Sequence, residues 1–263
     1  MTANISAADA AVTAALAALR TRAPSTITDR VLADAGLADR YDVVDGPTGP
    51  LWVSFAERGI TGVAPARPGE DPAQLLAGRH GRRAVPGRLP ARLRSSVERV
   101  LRTGRLGGLR VDLSHLTDFQ RAVLAKTAQI PPGQIRPYGW VAREIGQPAA
   151  VRAVGSALNR NPVPVLVPCH RVGRSDGAIG EYAFGRPMKR ALLAAEGVDT
   201  DQVEAMAERR VRFVGSDTTD IYCLPTCHHG RRVTERHRVE FHSREEAEAE
   251  GYRACKVCRP AAA

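Results

Sequence analysis

The 263-residue chain has few aromatic side chains, 5% of the total, and almost no lysine, with three lysines among its 38 basic residues. It also lacks any apolar run approaching the ~20 residues needed to span a bilayer, so no segment is expected to cross a membrane. Met1-Thr-Ala-Asn-Ile-Ser6 lacks a basic stretch followed by an apolar one. No secretory leader is therefore expected, and the cytoplasm is the expected compartment. Cysteine is scarce at five, and in a reducing compartment that argues against a disulfide framework. What the chain does carry is positive charge, a formal +10 with a pI of about 10.0. This balance suits a polyanionic partner, although an arginine- and alanine-rich composition also follows from a GC-rich genome. The length allows two domains, each with a core.

Residues 1 to 40 carry two helical patterns, Ala7 to Arg20 and Ile27 to Ala38, with no chemistry-bearing cluster. Gly49 to Ala56 alternates, Glu57-Arg58-Gly59 reads as a turn, and Ile60 to Val63 resumes the apolar pattern. Together they predict a hairpin with Trp52 and Phe55 in the core. Short helices are expected at Pro72 to Ala77 and Pro90 to Leu101. Thr117 and Gln120 have capping-box spacing and open a helix through Lys126. After a proline-rich loop, Trp140 to Ile145 reads as a helix, Gly146-Gln147 as a turn, and Pro148 as the first residue of a second helix. On that helix Val151, Val154 and Leu158 share one face, and Arg152, Gly155, Ser156 and Asn159 another. A helix-turn-helix with small residues and one arginine outward can lie against DNA; an ordinary helical hairpin has the same pattern.

Val163 to Pro168 is a short apolar run rich in β-branched residues, and reads as extended and buried but not as a central strand, because of its prolines. In extended chain Cys169 and His170 point to opposite sides, so a histidine base reaches the thiol only through a water or a bend. A buried structural cysteine beside a satisfied histidine is the plain alternative. A helix from Pro187 to Glu196 ends at Gly197. Glu196 in its last turn opposes the helix dipole, and so either serves another purpose or is simply solvated. A linking helix is expected at Asp201 to Val211. Cys223-x3-Cys227 and Cys255-x2-Cys258, with 27 residues between the pairs, predict tetrahedral thiolate coordination of a structural Zn2+. Four sulfurs fill the shell without His228, His229, His237 or His242, and no organic cofactor is expected.

Pro168-Cys-His-Arg-Val172 resembles the acceptor motif of the O6-alkylguanine-DNA alkyltransferases, and the sequence is similar to that family over most of residues 41 to 198. The resemblance implies an α+β fold with a helical lead-in and small N-terminal α/β domain containing the hairpin (1–110) and a helical, winged helix-turn-helix-like catalytic domain (111–198), to which the cysteine spacing adds a small C-terminal zinc domain (199–263). It implies irreversible, single-turnover alkyl transfer from O6-alkylguanine in double-stranded DNA to Cys169. His170 would take the thiol proton through a water, Glu196 would orient the imidazole, Tyr138 would donate to the base as charge develops, and Asn161 would brace the turn. Arg152 would replace the flipped nucleotide, with Tyr138, Ser156, Arg171, Tyr182 and Thr219 completing the expected DNA-binding set. Carbonyls of Cys169 and Val172 would read the guanine amine. Ala183 stands where many relatives carry a hydroxyl residue.

Thr218 to Cys227 and Gly251 to Pro260 resemble the zinc domain of the adaptive-response protein Ada, in which the first zinc-bound cysteine, here Cys223, accepts methyl from a DNA phosphotriester. Asp220 and Leu224 stand where that family usually has Gly and Arg, a loss of positive charge that weakens phosphate binding. An acceptor role for Cys223 therefore stays open at this point. Two alternatives are a lesion binder that does not transfer, in which tryptophan usually replaces the cysteine, and a methylation-sensing regulator, for which no further regulatory domain is recognised. A monomer is expected.

Overall fold

Gly49–Ala56 is buried on both faces, as an inner strand must be. Leu51, Val53 and Phe55 face the main core, while Trp52 packs with Ala64, Leu76 and Ala84 on the other side. The strand belongs to a four-stranded sheet of β1 (Asp39–Gly46), β2 (Gly49–Ala56), β3 (Gly59–Pro65) and β4 (Ala84–Pro86), in the order β3-β2-β1-β4. The expected hairpin is β2–β3; β1 also pairs antiparallel with β2, and β4 joins β1 in parallel. The computed structural model describes residues 25–260 together with positions 12, 14 and 15. The pattern from Ala7 to Arg20 lies outside the described residues except at those three helical positions. The one beginning at Ile27 is the helix α1, Ser25–Asp34.

Helices α2 (Pro72–His80) and α3 (Ala91–Thr103) extend a little beyond their expected ends. The capping box forms as the sequence predicts: Thr117 and Gln120 exchange side-chain and backbone hydrogen bonds at the start of α4, Asp118–Thr127. The helix-turn-helix is α5 (Tyr138–Glu144) and α6 (Val151–Asn159). Its second helix starts later than expected. Pro148 instead occupies a turn closed by the Ala150 N–H donating to the Gln147 carbonyl at 2.9 Å, where its fixed φ suits the second turn position equally well. Val154, Ala157 and Leu158 are buried, but Val151, expected with them, is 40% exposed.

The segment before Cys169 is buried throughout, as expected, but it is not extended. The Val167 N–H turns back to the Val163 carbonyl at 2.9 Å, and Val165 has φ 72. Prolines 164 and 168 cannot donate ladder hydrogen bonds, so the run folds into a compact turn. Cys169–Arg171 then form one turn of 3₁₀ helix. Val172–Gly173 (β6) pairs in parallel with Arg136–Pro137 (β5). The main core is continuous from the N-terminal sheet through α4, α5 and α6 to Val167 and Cys169, and the Val63 N–H donates to the Pro162 carbonyl at 2.8 Å.

Helices α7 (Arg186–Ala195) and α8 (Thr200–Glu208) lead to a second sheet. It comprises β7 (Phe213–Ser216), β8 (Ile221–Cys223), β9 (Arg238–Phe241) and β10 (Arg253–Ala254), in the order β10-β8-β7-β9. Its own core gathers Phe213, Tyr222, Phe241 and the four C-terminal cysteines. Among the described residues no helix is long and apolar enough to cross a membrane.

Candidate active site and metal centre

Asn161 organises the turn that presents Cys169. Its Nδ2 donates to the Val167 carbonyl at 3.0 Å and to the Cys169 Sγ at 3.2 Å, and its Oδ1 accepts from the Val163 N–H at 3.0 Å. Burial raises the Cys169 pKa, against the hydrogen bond from Asn161 and the positive charge of Lys189 and Arg79. The resting sulfur is thus a protonated thiol, and a base must act before it becomes a nucleophile.

His170 turns its Nε2 to Glu196 Oε1 at 2.9 Å, while its Nδ1 is buried and has no hydrogen-bond partner among the described residues. Burial pushes the imidazole below its ordinary value, although Glu196 pulls the other way, so it is neutral at pH 7. Burial also disfavours ionisation of Glu196, but hydrogen bonds from His170 and Arg171 outweigh it and bring the carboxyl down to about 2. Glu196 occupies the C-cap position of α7, and accepting from His170 and Arg171 is the other purpose that its unfavourable dipole position suggested.

The expectation that Arg171 contacts DNA is overturned. Its side chain is 1% exposed and points inward, donating to both Glu196 oxygens, to the Ile130 carbonyl at 2.7 Å and to the Gly104 carbonyl at 2.8 Å. Two glycines make room for this network. A Cβ on Gly104 (φ 62) would lie 2.5 Å from Arg171 Nη2, and one on Gly133 (φ 71) 2.7 Å from the Glu196 carbonyl oxygen. The Gly133 N–H itself donates to Glu196 Oε2 at 2.9 Å.

Tyr138 opens α5, and its phenol is raised by burial and then by the charges of Cys169 and Glu181. The Tyr182 hydroxyl is buried without a hydrogen-bond partner among the described residues, and burial, then Cys169, raise it well above the usual phenol range. Arg152 and Ser156 lie on the exposed side of α6, away from Val154 and Leu158. Thr219 stands on the C-terminal module, in a concavity that Cys223 also lines, and not around Cys169.

The sulfurs of Cys223, Cys227, Cys255 and Cys258 lie within 4.8 Å of one another and are buried. A tetrahedron with Zn–S bonds of about 2.3 Å has edges of about 3.8 Å, so this donor set fits zinc with only small adjustment. Hydrogen bonds from Cys223 and Cys258, then from the amides of Gly230 and His229, hold Cys227 well below the ordinary thiol range. Hydrogen bonding with Cys227 and Cys258, then burial, raises Cys223, so that thiol ionises readily only when a cation is shared.

A family model described as 6-O-methylguanine DNA methyltransferase, DNA binding domain, matches residues 118–198, and one described as metal binding domain of Ada matches residues 204–261. Similar relatives are named methylated-DNA–protein-cysteine methyltransferase. That of Mus musculus is 38% identical over 180 residues, 62% of this chain and 83% of the relative. That of Rattus norvegicus is 36% identical over 193 residues, 67% of this chain and 90% of the relative. That of Methanosarcina barkeri is 34% identical over 160 residues, 59% and 96% respectively. The chain belongs to the methylated-DNA–protein-cysteine methyltransferase family.

Two basic residues near Cys169 escaped sequence reasoning. Lys189 is 1% exposed and donates to the carbonyls of Val172 at 2.7 Å and Glu181 at 3.1 Å. Burial brings it down to about 8, against the pull of Cys169, Glu181 and Glu204. Its helical spacing to Leu192, Leu193 and Glu196 was the available signal, since i+3, i+4 and i+7 share a face. Arg79 comes from α2, stacks 4.2 Å from the Phe184 ring centroid and donates to the Asn161 carbonyl at 3.3 Å. No local pattern marks it, because its partners lie about a hundred residues away in sequence.

Proposed function

We propose that the chain removes the alkyl group from O6 of guanine in double-stranded DNA by transferring it, once and irreversibly, to the sulfur of Cys169. The observation that carries this reading is the His170–Glu196 contact beside a buried protonated thiol. A carboxylate only accepts hydrogen bonds, so a neutral imidazole in that contact carries its proton on Nε2 and keeps a lone pair on Nδ1. Nδ1 takes the Cys169 proton through a bridging water, and ionised Glu196 stabilises the imidazolium that results. The thiolate attacks the alkyl carbon in line, forming the S–C bond as the C–O6 bond breaks. Tyr138 donates to the guanine as negative charge develops on it, and the proton lost by the thiol ends on the released base. Asn161 braces the turn, Tyr182 lines the pocket, and carbonyls of Cys169 and Val172 accept from the guanine amine.

The lesion cannot be attacked inside the stack and is flipped out. Helix α6 presents Arg152 and Ser156 to the duplex, with Gly155 behind them 3.9 Å from the Tyr138 ring when given a Cβ. Arg152 fills the gap left in the stack. The product is a thioether that no group among the described residues is placed to cleave, so each molecule acts once, as a monomer built of units 1–110, 111–198 and 199–263. Incubation with duplex DNA carrying labelled O6-methylguanine is expected to load one methyl per protein, and Cys169→Ala to load none. Undiminished labelling of that variant at the guanine lesion would remove Cys169 from the role.

A second acceptor at Cys223 is favoured by one feature: this residue lines a concavity of about 550 Å³ whose wall includes His229, Arg232, Arg253 and Lys256. The two arginines and the lysine supply positive charge for a DNA phosphate where Leu224, 5% exposed, does not. Asp220 has φ 50, the left-handed conformation that suits the glycine usual there. Zinc held by Cys223, Cys227, Cys255 and Cys258 would keep its thiolates deprotonated at neutral pH. Mass spectrometry after exposure to methylphosphotriester DNA should find the added methyl on the peptide containing Cys223; an unmodified Cys223 would reject this acceptor.

A further inference from the structure

The segment Ile130 to Trp140 touches the metal centre on one side and the alkyl-acceptor site on the other. Toward the metal centre, Trp140 Nε1 donates to the Cys258 carbonyl at 2.9 Å. The Ile135 N–H donates to Thr226 Oγ1 at 2.8 Å, and that hydroxyl donates back to the Ile135 carbonyl at 3.3 Å. Thr226 directly precedes the ligand Cys227. Toward the acceptor site, the Gly133 N–H donates to Glu196, Arg136 pairs across β5–β6 with Val172, and Pro137 leads into Tyr138. The same segment therefore holds the carboxylate that orients His170, the chain following Cys169-His170-Arg171, and the tyrosine expected to act on the base.

At its centre lies Arg136, 2% exposed, a charge with no solvent to stabilise it. Its direct hydrogen-bond partners among the described residues are the Ile135 carbonyl and the Gln134 side chain, both neutral, and its guanidinium lies 5.7 Å from the Trp140 ring centroid. Neutral partners do not offset the cost of desolvating a charge. Trp140 joins this arginine to the cysteine cluster, its ring lying beside the guanidinium and its Nε1 donating to the Cys258 carbonyl; burial disfavours the charge on Arg136, and the four cysteines pull the other way. Four thiolates around one divalent cation leave a net charge of about −2, and donation from Trp140 to the Cys258 carbonyl sets the cluster against this arginine.

We infer that Arg136 is a positioning residue through which the C-terminal metal centre holds the alkyl-acceptor site in working geometry. Metal loading supplies the anionic charge that keeps Arg136 buried. A buried Arg136 keeps β5 paired with β6, Gly133 on Glu196, and Tyr138 at the head of α5. Loss of the metal strands the cation, and the segment that orients Glu196 and Tyr138 loosens. The inference rests on the Cys169 reading for its kinetic consequence but not for the physical link itself.

The test uses the full-length, zinc-loaded protein and its Arg136→Gln and Arg136→Lys variants. Three quantities are read: zinc release to a chromogenic chelator, hydrogen exchange of peptides covering residues 130–145, and single-turnover transfer from O6-methylguanine duplex at saturating DNA. Arg136→Gln is expected to release zinc about tenfold faster, to exchange faster across 130–145, and to transfer about tenfold more slowly, with affinity for undamaged duplex unchanged. Arg136→Lys, which keeps the charge, should recover much of the zinc retention. Zinc withdrawal from the wild type should reproduce the exchange and rate changes of Arg136→Gln.

Unchanged zinc release and exchange in Arg136→Gln would overturn the link, as would slowed transfer with both of these at wild-type values. Transfer at the full rate after zinc withdrawal would overturn it too. If zinc-loaded wild type transfers nothing, the Cys169 reading fails instead, and the release and exchange measurements still decide the link.

Discussion

Replacing Glu196 by glutamine removes the single negative charge between His170 and Arg171 while keeping the shape of the side chain. In the folded protein the carboxyl sits at about 2 instead of 4.5. Each tenfold in proton affinity is worth about 1.4 kcal/mol, so the ionised group contributes about 3 kcal/mol to folding. The side chain is only 14% exposed, so solvent screening takes little from that figure. An independent route gives a similar size: breaking a buried pair by removing one partner costs about 3 to 5 kcal/mol, here because Arg171 keeps only neutral acceptors. With a urea m value of about 3 kcal/mol per M, the unfolding midpoint of Glu196→Gln at pH 7 should fall by about 1 M.

The pH dependence separates charge loss from simple damage. Because folding lowers the Glu196 pKa, its contribution is complete above the ordinary 4.5 and is lost as pH falls toward about 2. Burial likewise lowers His170, so its contribution is complete above the ordinary 6.5 and declines below it, as the unfolded chain takes up a proton that the buried ring resists. Glu196→Gln should therefore keep the acid sensitivity that begins near 6.5 and lose the part below 4.5. Its alkyl transfer should fall about 100-fold, since an uncharged amide no longer fixes the Nε2–H tautomer or stabilises the imidazolium. A variant with an unchanged midpoint, or with wild-type acid destabilisation below 4.5, would falsify this account of Glu196.

Three other perturbations test neighbouring assignments. Arg171→Ala should lose about 3 to 5 kcal/mol of stability in urea melts but leave the salt slope of duplex binding unchanged, because a side chain that meets no phosphate releases no counterions. A smaller slope in that variant would return Arg171 to the DNA interface. Asn161→Ala leaves the Val163 N–H and the Val167 carbonyl without their side-chain partner; at about 1 to 3 kcal/mol for each group, both the thermal midpoint and the transfer rate should drop, and an unaltered melt would show that the turn holds itself. Arg152→Ala should slow transfer from duplex on the order of 100-fold, the unstacking cost no longer being offset, without slowing transfer from the free O6-methylguanine base. Equal losses on both substrates would place Arg152 outside base flipping.

The parts of the fold legible in the sequence are those written in local pattern. The β2–β3 hairpin follows from alternation around Glu57-Arg58-Gly59, and α4 from the capping box of Thr117 and Gln120. The cysteine spacing places four sulfurs together because the two short loops Cys223–Cys227 and Cys255–Cys258 need only one strand pairing, β8 with β10, to bring them face to face. Pro148 misled because proline suits a first helical position and a second turn position for the same reason, a φ fixed near −65°. Arg136 and Arg79 could not be found from sequence at all. Both are ordinary arginines in a chain full of them, and only tertiary packing sets one beside the cysteine cluster and the other against Phe184.

The misplacement of Arg171 has a geometric cause that also accounts for the His170–Glu196 contact. Had Cys169-His170-Arg171 continued an extended strand, its side chains would alternate by half a turn, and Arg171 would share the face of Cys169, toward any bound substrate. A 3₁₀ turn advances about a third of a revolution per residue, so three consecutive side chains leave in three directions. Cys169 meets Asn161, while His170 and Arg171 reach the Glu196 carboxylate by separate routes. That arrangement needs a carboxylate placed to receive both, which the C-terminus of α7 supplies, and a chain that can turn tightly just before the cysteine, which the Val163–Val167 hydrogen bond supplies. Arg171 is thus withdrawn from DNA by the same turn that brings His170 onto Glu196, and a substitution that straightened the turn should lose both contacts together.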